Sequence, residues 1–171
     1  VRDMEVINTE LCLADLDTVE KKKSKTAKLA QAGIKEAKAT LPALEKVFNA
    51  LQEGVPARSL HLSDDEQDVF KELNLITLKP VLYVLNIAES DMSDPMSNDY
   101  VKAAVSQAEK ENAKWVPVSA EIEQEVSELD TEEAKVFLAD MGETEPGLNR
   151  LIRAAYSMLG LINFFTVGED E

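Results

Sequence analysis

From Thr9 to Ala32 the chain holds neither Pro nor Gly, and Leu11, Leu13, Leu16 and Val19 recur at helical spacing. The pattern predicts a long helix, which Gly33 would end with a turn. Beyond it Ala37, Leu41, Leu44, Phe48 and Leu51 follow at steps of four, three, four and three residues, a seam suited to packing one helix along another. The two segments together predict an antiparallel helical hairpin. Pro42 lies inside the seam, where it removes one backbone donor and crowds the preceding turn, so the second arm either kinks there or starts near Thr40. Gly54-Val55-Pro56 closes the arm. Ser63-Asp64-Asp65-Glu66 then has the S-x-x-E form in which Ser and Glu satisfy each other's helix-start donors, and predicts a short helix to about Leu73.

The periodicity changes after Pro80. Val81-Leu82-Tyr83-Val84-Leu85 is a continuous apolar run, expected to form a strand buried on both faces. A polar loop follows, then an amphipathic helix from Tyr100 to Glu111 behind an Asp99 cap, then a second strand, Lys114-Trp115-Val116-Pro117-Val118. Strand, helix, strand implies a parallel pair with a right-handed crossover, hence an α/β class for this half. Further helices are expected over Glu121 to Leu129, Thr131 to Met141 before Gly142, and Leu148 to Leu159 before Gly160. The run Leu161-Ile162-Asn163-Phe164-Phe165 offers a third strand. Even three strands are too few for an independent sheet with both faces covered, so the pattern reads as part of a larger domain.

Charge narrows the partners. With 18 Lys and Arg against 33 Asp and Glu in 171 residues, the net charge of −15 repels phosphate polymers except at a local basic patch. Glu20-Lys21-Lys22-Lys23-Ser24-Lys25-Thr26-Ala27-Lys28 is such a block. A solvated helix face is one reading, and a polyanion contact through Lys21, Lys22, Lys23 and Lys25 is the other. The single cysteine, Cys12, excludes an internal disulfide and any Cys-based metal cluster, and reads as a buried thiol. No apolar run has the length of a membrane span, and the start Val1-Arg2-Asp3-Met4-Glu5 lacks a signal-peptide form; no membrane partner and a cytoplasmic location are expected. His61 has no nucleophile or ligand set beside it in sequence. The acidic series from Glu121 to Glu133 lacks metal-loop spacing, and Met92 and Met96 show no cofactor pattern.

Candidate chemistry sits where ligands gather in open α/β folds, at the carboxyl ends of the strands. Asn86-Ile87-Ala88-Glu89 follows the first strand and Ser119-Ala120-Glu121 the second. An Asn amide presents a donor beside an acceptor, which matches adenine N7 and N6. A carboxylate accepts only, so at the fourth loop position it would favour the N1 and N2 donors of guanine; the longer Glu89 argues against strict guanine selection. Asn also caps turns, and by itself the tetrad leaves that reading open.

Asn86-Ile87-Ala88-Glu89 resembles the N-x-x-E variant that YchF-type Obg-like ATPases carry where GTPases have N-K-x-D, and Ser119-Ala120 resembles their S-A loop. The opening Val1 to Leu11, the stretch Pro56-Ala57-Arg58-Ser59-Leu60 and the closing Leu161 to Thr166 with Gly168-Glu169 are similar as well. The resemblance implies a partial P-loop NTPase parallel sheet with an inserted antiparallel helical hairpin. It implies residues 1–14 as a segment leading into the insertion, 15–76 as a coiled-coil-like arm and 77–171 as the C-terminal half of the nucleotide domain. Asn86 would bond the base edge, Ile87 would lie against the base, and Ala120 would contribute a backbone group, with Glu89 and Ser119 completing the loops.

The resemblance further implies binding of ATP, with GTP as the second nucleotide, and association with ribosomes or RNA through the arm or through domains outside this chain. None of the six glycines belongs to a G-x-x-x-x-G-K-[ST] or D-x-x-G motif. Phosphate chemistry and Mg²⁺ binding are therefore expected from residues not present here, in a hydrolase of which this chain alone would be an inactive part. The rival expectation is a non-enzymatic helical module that grips a protein or ribosomal partner. The oligomeric state stays open.

Overall fold

A computed structural model describes residues 1–165 and divides the chain into two compact units, Val1–Pro80 and a second that begins at Val81. Thr166, Gly168 and Glu169, part of the closing similarity, lie outside the described residues.

The first unit is a helical hairpin with a small helical cap. Helix α1 (Arg2–Gln31) starts earlier than its apolar spacing suggests and ends at Ala32 before Gly33, whose φ of +91° is a left-handed conformation suited to glycine. Helix α2 (Lys35–Gln52) returns along α1 and runs through Pro42 instead of starting near Thr40. Its buried side chains include Ala37, Leu44, Phe48 and Leu51 from the predicted seam, joined by Ala43, Val47 and Ala50. On α1 the inward stripe differs from the expectation. It passes through Asn8, Cys12, Asp15 and Val19, while Leu13 is 59% exposed. Cys12 is a buried core thiol as expected.

Asp15 is the reason the stripe is polar. Its carboxylate, only 4% exposed, accepts from the backbone N–H groups of Ile76 (3.0 Å) and Thr77 (2.7 Å) and from the Thr77 hydroxyl (2.6 Å). A buried carboxylate is tolerated where donors surround it. Asp15 thereby pins the 3-10 turn Ile76–Leu78 to the middle of α1.

Between these elements lies α3 (Asp64–Phe70), which begins with the predicted capping box. Glu66 N donates to Ser63 Oγ at 3.3 Å and Ser63 N to Glu66 Oε2 at 2.8 Å, with Lys46 Nζ 3.3 Å from the same carboxylate. The Ser63 backbone N–H first, and Lys46 second, hold the Glu66 carboxyl below its ordinary range. A lowered folded-state pKa stabilises above the ordinary value, and the contribution disappears as pH falls through the lowered one. Glu66→Gln keeps the reciprocal bond but not the charge. It is expected to be less stable than the parent at neutral pH and equal to it in strong acid; a gap independent of pH in urea unfolding would contradict this.

The second unit contains β1 (Leu82–Asn86), α4 (Asp99–Lys110), β2 (Lys114–Val118), α5 (Ala120–Glu128), α6 (Thr131–Asp140) and α7 (Gly147–Met158). The strands pair in parallel, Leu82 opposite Lys114 through Asn86 opposite Val118, with α4 as the crossover. Here three expectations change. The strands are half-exposed, with Val84 47% exposed, because two strands leave each other's outer edge and much of both faces without neighbours. Leu161 to Phe165 forms no strand; Ile162, Phe164 and Phe165 are 83%, 79% and 95% exposed. Asn98, not Asp99, caps α4, its Oδ1 accepting from Tyr100 N at 2.9 Å and Val101 N at 3.4 Å. Both are good caps, but only the residue still in extended conformation can turn its side chain onto the next amides.

A small core of Met92, Ile122 and Leu138 joins α5, α6 and the loop after β1. Helix α7 packs on both strands yet leaves Leu148, Ile152, Tyr156 and Leu159 at least 45% exposed along one stripe. Among the described residues no helix is long and apolar enough to cross a membrane.

Candidate functional site

The parallel register brings the carboxyl ends of β1 and β2 side by side, and with them the two predicted loops. The ladder continues one residue past the strands, Ile87 N donating to Val118 O at 2.9 Å. A second bond crosses between side chain and backbone: Ala120 N donates to Asn86 Oδ1 at 3.0 Å. Since a backbone N–H only donates, the atom facing it must be the amide oxygen, which fixes the Asn86 orientation. The Asn86 amide group Nδ2 is left as the donor end of an exposed side chain, beside an exposed Ala120.

This geometry changes what Asn86 can do. One lone pair of its oxygen is committed to holding the second loop, so the amide's strongest remaining feature is its donor. A donor suits N7, which adenine and guanine share. For a bound purine, discrimination between the two bases would then fall on the neighbours.

Those neighbours are placed as follows. Ile87 is half-buried and packs against the Met92–Ile122–Leu138 core, so only part of its side chain remains for a ligand. Glu89 opens the 3-10 turn Glu89–Asp91, its carbonyl accepting from Met92 N at 3.0 Å. Ser119 is buried, and its hydroxyl lies 3.5 Å from Ile122 N as the cap of α5. Ser119 thus positions the start of α5 and, with it, the Ala120 amide. Asn86, Ile87, Glu89, Ser119 and Ala120 are therefore brought to one end of the sheet.

Two residues not singled out in the sequence hold this end in shape. Asn98 Nδ2 donates to Asp91 Oδ2 at 2.7 Å while its Oδ1 caps α4, closing the loop between β1 and α4 from both sides. Glu123 accepts from Gly147 N at 2.6 Å and Leu148 N at 3.2 Å, tying α5 to the start of α7. The Asn-Asp pair ahead of an amphipathic run was the readable sign of the first. Nothing local signals the second, because its partners are more than twenty residues on. A Cβ at Gly147 would meet Glu123 Oε1 at 2.9 Å, so a side chain there would displace that carboxylate from the Gly147 amide.

A cavity of about 470 Å³ runs between β1 and α4, walled by Val84, Asn86, Ile87 and Ala88 on one side and Asn98, Val101 and Ala104 on the other. It does not include Ser119 or Ala120. It is a trough beside the β1 strand and not a cleft between the two loops. Among the described residues no group of three or more His, Cys, Asp or Glu side chains is placed to hold a metal ion.

The basic block lies on α1 in the first unit and is partly engaged. Lys21 pairs with Asp17 at 2.5 Å, and the Lys23 ammonium sits 3.0 Å from the centre of the Phe48 ring. Lys22 is half-buried and Lys25 exposed. The exposed His61 side chain joins no such group; its carbonyl accepts from Lys46 Nζ at 2.6 Å.

No protein-family model matches the chain. Across its whole length it is 43% identical to the ribosome-binding ATPase YchF of Bacillus subtilis, and over 99% of its length 44% identical to that of Haemophilus influenzae. It spans 47% and 46% of those proteins, about half the length of the curated relatives it matches. Among solved structures it is similar to the Schizosaccharomyces pombe YchF GTPase, with a TM-score of 0.85 at 28% identity, over 98% of this chain and 46% of that one.

Proposed function

We propose that this chain, which belongs to the YchF family, supplies the purine-reading loops of an ATP-preferring nucleotide hydrolase that associates with ribosomes. Its second unit is part of the parallel α/β sheet of a P-loop NTPase, and the first is the antiparallel helical hairpin inserted into that domain. The observation that carries the reading is the bond from Ala120 N to Asn86 Oδ1, which stitches two loops at the carboxyl ends of parallel strands and leaves Nδ2 as the donor end of an exposed side chain.

In this reading Asn86 donates to purine N7 and Ala120 supports it. Ile87 braces the loop against the core, and Glu89, one methylene too long to copy an Asp that grips guanine N1 and N2 together, leaves guanine without its extra pair of bonds. The phosphate loop and the Mg²⁺ ligands belong to the half of the protein outside this chain, and hydrolysis with them. The trough beside β1 and the exposed stripe on α7 are then the seams against which that half packs.

The bacterial relatives carry the name ATPase and the yeast structure the name GTPase, so base preference is the property to measure. The full-length protein is expected to bind ATP more tightly than GTP in calorimetry. Equal affinities would remove the role given to Glu89.

The hairpin is the proposed ribosome-contacting arm, with Lys22 and Lys25 taken from the four candidate lysines because Lys21 pairs with Asp17 and Lys23 lies on Phe48. Clustered lysines displace counterions from a polyanion, and each lost contact reduces the salt dependence of binding by about one unit of slope. Lys22→Glu together with Lys25→Glu in the full-length protein should flatten the salt dependence of ribosome co-sedimentation. An unaltered slope would place the contact elsewhere.

A further inference from the structure

A second groove lies away from the loops, on the second unit. It encloses about 590 Å³ and is lined by Leu129, Glu132, Glu133, Val136, Phe137 and Asp140. Its floor is firm, because Phe137 packs on the Met92–Ile122–Leu138 core. Its mouth is apolar and open, with Val136 63% exposed. Its rim is acidic: Glu132, Glu133 and Asp140 line it, and the neighbouring cation, Lys135, is itself paired with Glu132 at 2.7 Å. Glu133 also serves the capping box of α6 with Asp130, which holds that carboxylate at the helix start.

An apolar floor inside a carboxylate rim selects its occupant by charge. A phosphate backbone or an anionic lipid surface is repelled. A second copy of this chain is repelled too, since each carries a net charge of −15. A cationic amphipathic helix satisfies both features, one apolar side chain entering the groove while flanking basic groups meet the rim. We propose that the α6 groove docks a lysine- or arginine-rich amphipathic helix of a protein partner, seated on Val136 and Phe137 and held by Glu132, Glu133 and Asp140.

The site is distinct from the purine-reading loops and stands whether or not that reading does. The test uses the full-length protein and a fluorescent peptide of about four helical turns, with Leu at i, i+3 and i+4 spacing and Lys elsewhere. Binding is read by anisotropy. Val136→Asp should weaken it about tenfold, as loss of a central anchor does. The pair Glu132→Gln with Asp140→Asn should flatten its salt dependence, and Leu13→Asp, on the other unit, should change nothing. Val136 is exposed, so the fold survives its replacement, as unchanged thermal unfolding will verify. Val136→Asp and Leu13→Asp behaving alike, a peptide with Glu in place of Lys binding equally well, or no binding of the Lys peptide would each overturn the proposal.

Discussion

Asp15→Ala is expected to destabilise the helical unit by about 3 kcal/mol, the cost of leaving buried donors to a charged acceptor unanswered. Thr77, fully buried, would lose the acceptor for both its N–H and its hydroxyl, and the Ile76 N–H would lose its acceptor too. The bonds run from the middle of α1 to a turn sixty residues later, so the damage is to tertiary docking and not to the helix itself. Asp15→Asn should be intermediate, because an amide retains one acceptor oxygen in place of two. Urea unfolding of the two variants measures this. A loss below about 1 kcal/mol for the Ala variant would mean that water replaces the carboxylate at little cost.

The second large effect concerns base choice. In the full-length protein, Ile87→Lys with Glu89→Asp should raise GTP affinity relative to ATP by about tenfold, the worth of one charge-assisted hydrogen bond gained on guanine. Because Ile87 also braces the loop against Met92, Ile122 and Leu138, the double variant will lose some stability. Glu89→Asp alone separates the two effects: it touches no core residue and should move the preference in the same direction by less. If neither variant alters the ATP to GTP ratio in calorimetry, base selection does not reside in this loop.

Much of the scaffold was legible because its signals are local. The seam from Ala37 to Leu51 marks one side of α2, Ser63 and Glu66 announce α3, and the apolar runs before Asn86 and Ser119 locate both strands to within a residue. What was not legible depends on residues far apart. The spacing of leucines on α1 pointed toward Leu13, but the inward face is set by Asp15, whose partners lie at Ile76 and Thr77. The strands were expected to be buried on both faces because their residues are apolar; the two-stranded sheet leaves them half covered.

The candidate site divides in the same way. Residue types and loop positions pointed to Asn86 and Ala120, yet only the fold reveals that they bond each other. That bond alters the chemistry. Asn86, read first as an adenine-matching donor and acceptor, is in the proposed function chiefly a donor to N7, with selectivity assigned to Glu89 and its loop.

The most direct measurement therefore asks whether the Asn86 donor meets N7. Asn86→Asp keeps an oxygen for Ala120 N, so the loops stay joined, and puts a charged acceptor where the donor was. Paired with 7-deaza-ATP, in which a C–H replaces N7, it forms a double-variant cycle in calorimetry of the full-length protein. The account predicts that wild type loses about tenfold in affinity on going from ATP to 7-deaza-ATP, the value of a hydrogen bond in a desolvated site, and that Asn86→Asp loses none. Equal losses in both proteins would show that Asn86 does not touch the purine.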